Sequence, residues 1–188
     1  MTAISKKPWE KSMMSKNKNI IYKKIVKELD LDIIKPPRAG VILYTKYNNA
    51  FWFGLGVDAK SKDLTDFGGG ISYKENHDKH VIAGAIREFN EESLNIFNFT
   101  MNDFLESPVI YNNQCLIIFK YITCDIDHIK SLFRQRHDEM INHHIIPEVC
   151  DMTWLHVNDF KQCINVRGKM FHRVQNLLQK AGHFYWLL

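Results

Sequence analysis

No pair of cysteines in this chain has C-x-x-C spacing; Cys115, Cys124, Cys150 and Cys163 are scattered through its second half. That removes the usual sequence signature of a dithiol or a thiolate zinc site and leaves four reduced, partly buried small residues. His137, His143 and His144 belong to no Cys/His set with ligand spacing, so they read as exposed or loop histidines. There is no apolar run of the roughly 18 residues a membrane span needs, and the N-terminus has no signal-peptide core. No internal repeat is evident. Together these absences predict an intracellular protein without a membrane partner.

What is present is an ordinary globular composition. The chain has 188 residues, 45% of them hydrophobic and 24% charged, which fits one domain over residues 19–188 with modest additions. The net charge of +4 is concentrated early, in Lys6, Lys7, Lys11, Lys16, Lys18, Lys23, Lys24 and Lys27. A basic arm over residues 1–18 is compatible with a polyanionic partner such as RNA. The commoner reading is a solvated, mobile tail.

Periodicity places the elements. Ile21, Ile25 and Leu29 recur every fourth residue and predict a short amphipathic helix over 20–31, stopped by Pro36-Pro37. A strand over 38–44, a turn at Asn48-Asn49 and a partner strand over 50–55 follow. Two further β-branched and aromatic segments lie at 107–111 and 115–122. A helical insertion is predicted near 126–142 from Ile126, Ile129, Phe133 and Met140, an embellishment between core strands. A strand carrying Trp154 and a closing helix with Phe171, Val174 and Leu178 complete the chain. Strands, helix, strands and helix in this order do not make a βαβ ladder, so the class is α/β with the topology left open.

The chemistry concentrates in Gly68-Gly69-Gly70 and in Arg87-Glu88-Phe89-Asn90-Glu91-Glu92. Glu88, Glu91 and Glu92 stand at i, i+3 and i+4, one face of a helix. Three like charges so placed repel one another, and a cation relieves them. Hard carboxylate oxygens suit Mg²⁺ or Mn²⁺, the metals of phosphate chemistry. Arg87 is positioned to pair with acidic neighbours and orient the carboxylates. A ligand with flat and anionic parts would be held by aromatic faces and cations. Trp52 and Tyr73, flanking the glycines, are the stacking candidates, whereas Trp154 reads as core.

Gly69, five residues, Glu75, eleven residues, then Arg87-Glu88-Phe89-x-Glu91-Glu92 resembles the box of the Nudix hydrolases. The spacing after Glu75 is four residues longer than the family pattern, and Leu94 stands where the pattern has glycine. The four extra residues amount to about one helical turn, so a helix begun one turn early, with Asp78 as N-cap, would absorb them. The resemblance implies an α/β/α sandwich around a mixed β-sheet. It also implies a pyrophosphohydrolase, cleaving the diphosphate linkage of a nucleotide or nucleoside diphosphate derivative. Glu88 and Glu92 would be Mg²⁺ ligands, Glu91 a further ligand or water holder, and the Gly68 carbonyl a fourth donor. Gly69 and Gly70 would lie against substrate, and Glu75 would have an uncertain role. The base would be Glu91 in the box or Glu148 in a later loop. The alternatives are an mRNA-decapping enzyme of the same family and a catalytically inactive nucleotide- or RNA-binding module. Substrate and oligomeric state are not readable from the sequence.

Overall fold

β2 (Arg38–Tyr47) is the strand around which the sheet is arranged, and it has three partners. The computed structural model describes residues 20–74 and 77–182, so the basic arm, Glu75 and the apolar stretch 183–188 lie outside the described residues. β1 (Tyr22–Ile25), β6 (Pro108–Tyr111), β7 (Leu116–Tyr121), β2, β3 (Ala50–Asp58) and β4 (Leu64–Thr65) follow one another across the sheet. β5 (Phe67–Gly70) pairs with β2, and β8 (Val149–His156) with β3. The β2–β7 pair is parallel and the others are antiparallel, so the sheet is mixed.

Alternation along β2 sorts the core into two layers. Ala39, Val41 and Leu43 face α1 (Val81–Glu92) and α3 (Ile126–Asn142). Ile42 and Tyr44 face α4 (Val157–Asn165) and α5 (His172–Ala181). A short α2 (Met101–Phe104) adds Phe104 to the first layer. The result is the expected α/β/α sandwich, with apolar residues on both sheet faces because both are covered.

β2 and β3 pair only from Leu43 to Tyr47, closed by a two-residue turn at Asn48 and Asn49 with φ of 49° and 60°. Beyond Leu43 the two strands separate. β4 fills the gap on the β3 side and β5 on the β2 side, with Asp66 at the step between them. Arg38 meets Asp66 there through two hydrogen bonds, Nη1 to Oδ2 at 2.8 Å and Nη2 to Oδ1 at 2.5 Å. Gly40 and Gly68 face each other across this step, and a side chain on either would collide with the opposite backbone.

Two sequence expectations change. Residues 20–31 are not a helix: Tyr22–Ile25 is a strand on the β6 edge, followed by a 3-10 turn at Val26–Glu28. Tyr22 stacks on Tyr111 with ring centres 5.0 Å apart, and Leu29 reaches the core on one sheet face while Ile21 packs on the other, so the residues spaced by four share no common face. Cross-strand pairing outweighs weak helical propensity here. Nor does α1 begin early. His80 is its N-cap, accepting from the Ala83 N–H, and Asp78 lies before it in the loop. The helix expected over 126–142 is α3, between β7 and β8, with Phe133 fully buried and the helix packed against β8.

The Arg38–Asp66 pair is buried on both sides. Removing one partner strands a charge inside the sheet, so Asp66→Ala should lower stability by about 3–5 kcal/mol in denaturant unfolding. Arg38→Met combined with Asp66→Leu should recover most of that loss.

Candidate active site

Phe89 sets the position of the acidic helix. It is fully buried, edge-on to Phe67 of β5 at 5.7 Å and stacked on Phe99 at 5.8 Å. Glu88 precedes it and Glu92 lies three residues beyond, so this anchor sets both carboxylates over the glycine strand. Glu88 rests against Gly69, where any Cβ would run into its carboxylate. Glu92 Oε2 accepts from the Gly68 N–H at 2.6 Å. At the helix exit Leu94 and Asn95 both take left-handed φ, 57° and 55°. Burial of the Leu94 side chain offsets the strain that a glycine would have avoided.

Arg87 organises the rest of the face. Its guanidinium binds Asp78 through Nε at 3.1 Å and Nη2 at 3.0 Å, Glu88 Oε1 at 2.9 Å, Glu91 Oε2 at 3.2 Å and the Gly70 carbonyl at 3.2 Å. Asp78, the expected N-cap, also accepts from the Ser72 N–H. It therefore ties the lengthened loop to the helix instead of starting it. The hydrogen bonds from Arg87 are the main reason its carboxyl is held below the ordinary range.

The glycine strand opens onto a cleft of about 360 Å³. Gly68, Gly69, Gly70 and Glu92 line it from one side, Phe171 and Arg173 from the start of α5, Asp58 from the end of β3 and Glu148 from the loop before β8. The charges of Glu91 and Glu148 both push the Glu88 carboxyl up, after burial, which is the larger cause. Glu92 is pushed further, to about 8, chiefly by burial and then by the Asp66 charge. Perturbed carboxyls in a cleft mark a functional site.

Not every expected residue arrives there. Glu91 is 59% exposed and turned to Arg87. Trp52 lies opposite Thr45, roughly 17 Å along β2 from Gly40 at about 3.4 Å per residue, edge-on to His156. Tyr73 donates to the Pro36 carbonyl at 2.7 Å, and neither aromatic lines the cleft. Phe171 is the aromatic that does, with the Arg38 guanidinium 5.1 Å from its ring centre. The sequence reading does not single out Arg38, Asp66 or Arg173, and it gives Asp78 a different role, as N-cap. A clue existed for the first two: single charges inside otherwise apolar strand segments are rarely buried unless paired.

Among the described residues no three carboxylates or histidines are drawn into a cation cage. Glu88 leans on Arg87, Glu92 on Gly68, and the Gly68 carbonyl accepts from Arg38 Nη2 at 2.8 Å. The donor chemistry still fits a small hard cation. Two crowded carboxyls with raised pKa would be relieved by it, and a carbonyl keeps a second lone pair.

No protein-family model matches the sequence, and no curated protein matches it. Among solved structures it is similar to the C. elegans Ap4A hydrolase, at 16% identity over 80% of this chain and 98% of that one, with a TM-score of 0.45. It is also similar to the NUDIX domain of Shewanella oneidensis NrtR, solved with ADP ribose, at 14% identity over 82% and 92% of the two chains, with a TM-score of 0.43.

The raised Glu92 carboxyl has a definite pH consequence. Between 4.5 and about 8 the folded protein holds a proton that the unfolded chain has released. Stability from this group is complete below about pH 4.5 and is lost as pH rises through about 8. Thermal melts in chelator should show that decline, and Glu92→Gln, which keeps an acceptor for Gly68, should remove it.

Proposed function

We propose that the protein is a Mg²⁺- or Mn²⁺-dependent hydrolase of the Nudix type, cleaving the diphosphate linkage of a nucleotide or nucleoside diphosphate derivative. The observation that carries this reading is the meeting of Glu88 and Glu92 with Gly68 and Gly69 at the mouth of a cleft that also receives Glu148. Glu88 and Glu92, with Glu91 and the Gly68 carbonyl as further donors, would hold the cation. Bound there, it supplies charge neutralisation for phosphate oxygens and lowers the pKa of water.

The remaining work falls to the chain itself. Gly70 would let a phosphate approach the backbone, since nothing lies within 4 Å of where its side chain would start, and Gly69 leaves room for the Glu88 carboxylate beside it. Arg87 acts as a positioning residue, fixing Glu88 and Glu91 while Asp78 holds it from behind. Glu148 takes the role of proton acceptor ahead of Glu91, because it lines the cleft while Glu91 faces solvent and Arg87. The role of Glu75 stays with the residues outside the described structure.

The test is a panel of nucleotides, nucleotide sugars, dinucleotides and capped RNA with Mg²⁺ or Mn²⁺. Turnover should require the metal, rise toward alkaline pH, and fall by about 10²-fold or more in Glu92→Gln and Glu88→Gln with the fold intact. Full activity in excess chelator would overturn the reading. A strong preference for capped RNA, lost on deletion of residues 1–18, would identify the decapping alternative. Tight nucleotide binding without turnover would identify the inactive module.

A further inference from the structure

We propose that Arg173 is the phosphate anchor of this cleft, gripping a polyphosphate chain on the α5 wall and so setting a preference for substrates with more than two phosphates. The inference deepens the hydrolase reading and rests on it for the substrate class. Four observations lead to it.

The glutamates and Arg173 reach the cleft from opposite faces of the sheet, Glu88 and Glu92 from α1 and Arg173 from α5. A ligand touching both must cross the end of β5 at Gly70, where nothing lies within 4 Å of the place a side chain would start. The ionisable groups lining the cleft are mostly acids: Asp58, Glu92 and Glu148. A polyanion needs a cation there. Arg38 is neutralised by Asp66, and Arg87, beyond the lining, by Asp78, Glu88 and Glu91.

Arg173 has no acidic partner among the described residues, and it is near enough to the Cys115 thiol, which burial pushes up, to oppose that rise slightly. It is exposed and occupies the first turn of α5, which holds no acid. A cation there opposes the helix dipole, so its position is mildly unfavourable until an anion joins it. Arginine is also the side chain whose planar fork matches phosphate oxygens in pairs.

Calorimetric titration of the full chain with inorganic diphosphate and tripolyphosphate, in chelator, isolates anion binding from metal. Tripolyphosphate should bind more tightly than diphosphate, and Arg173→Gln should weaken it about tenfold and erase the difference. Arg173→Lys should recover part of the loss, and Arg167→Gln, an exposed cation outside the cleft, should change nothing. Equal tripolyphosphate affinity in wild type and Arg173→Gln, or no wild-type binding at all, would overturn the proposal. In turnover assays with Mg²⁺ the same variant should raise KM with kcat nearly unchanged. Activity with an unaltered KM would remove the anchor and leave the hydrolase reading standing. Arg173-dependent binding without any turnover would do the reverse.

Discussion

The Arg38–Asp66 pair is the constraint on which the rest of the structure depends. Where β2 and β3 separate, a sheet would expose unpaired backbone, and β4 and β5 fill that opening with Asp66 at the step. Burial opposes the Arg38 charge, but Asp66 outweighs it and holds the guanidinium ionised beyond its ordinary range. Arg38 then reaches the Gly68 carbonyl, which fixes the strand on which Glu88 and Glu92 rest. The charge pair inside the sheet and the carboxylates at its rim are thus one electrostatic system. Asp66 raises Glu92 and Arg38 lowers it, so the site is coupled to the interior by charge as well as by packing.

Arg87 plays the complementary part at the surface. Carboxylates at i, i+3 and i+4 would destabilise a bare helix, and one guanidinium shared among Asp78, Glu88 and Glu91 neutralises much of that repulsion. Glu92 lies outside this arrangement, and burial together with the Asp66 charge raises its proton affinity. The face is therefore graded, with one side chain solvated, one shared and one buried.

Much of this was legible in the sequence. The glycine run and the charged hexad at 87–92 were readable because helical spacing and backbone freedom are local properties, and both segments meet where the cleft forms. The hairpin at Asn48-Asn49 and the helix at 126–142 were readable for the same reason. The N-terminal strand was not, because Tyr22–Ile25 becomes a strand only by pairing with β6 far along the chain. Asp78 was misplaced because an aspartate before a helix satisfies the capping rule, and only the position of Arg87 shows that it is engaged elsewhere. Trp52 and Tyr73 are near the glycines in sequence, but strand direction carries Trp52 away and a hydrogen bond holds Tyr73 at Pro36.

The parallel pairing of β2 with β7 has a kinetic meaning. Ala39 cannot find Leu116 until the acidic helix and everything around it has been made, and contacts of such long reach slow folding. The wall carrying Phe171 and Arg173 comes later still along the chain. A chain emerging from the ribosome therefore presents its glutamate segment well before it can build an enclosed cleft. During synthesis the carboxylates meet solvent and free cations first, because the residues of the α5 wall follow every strand of the sheet along the chain.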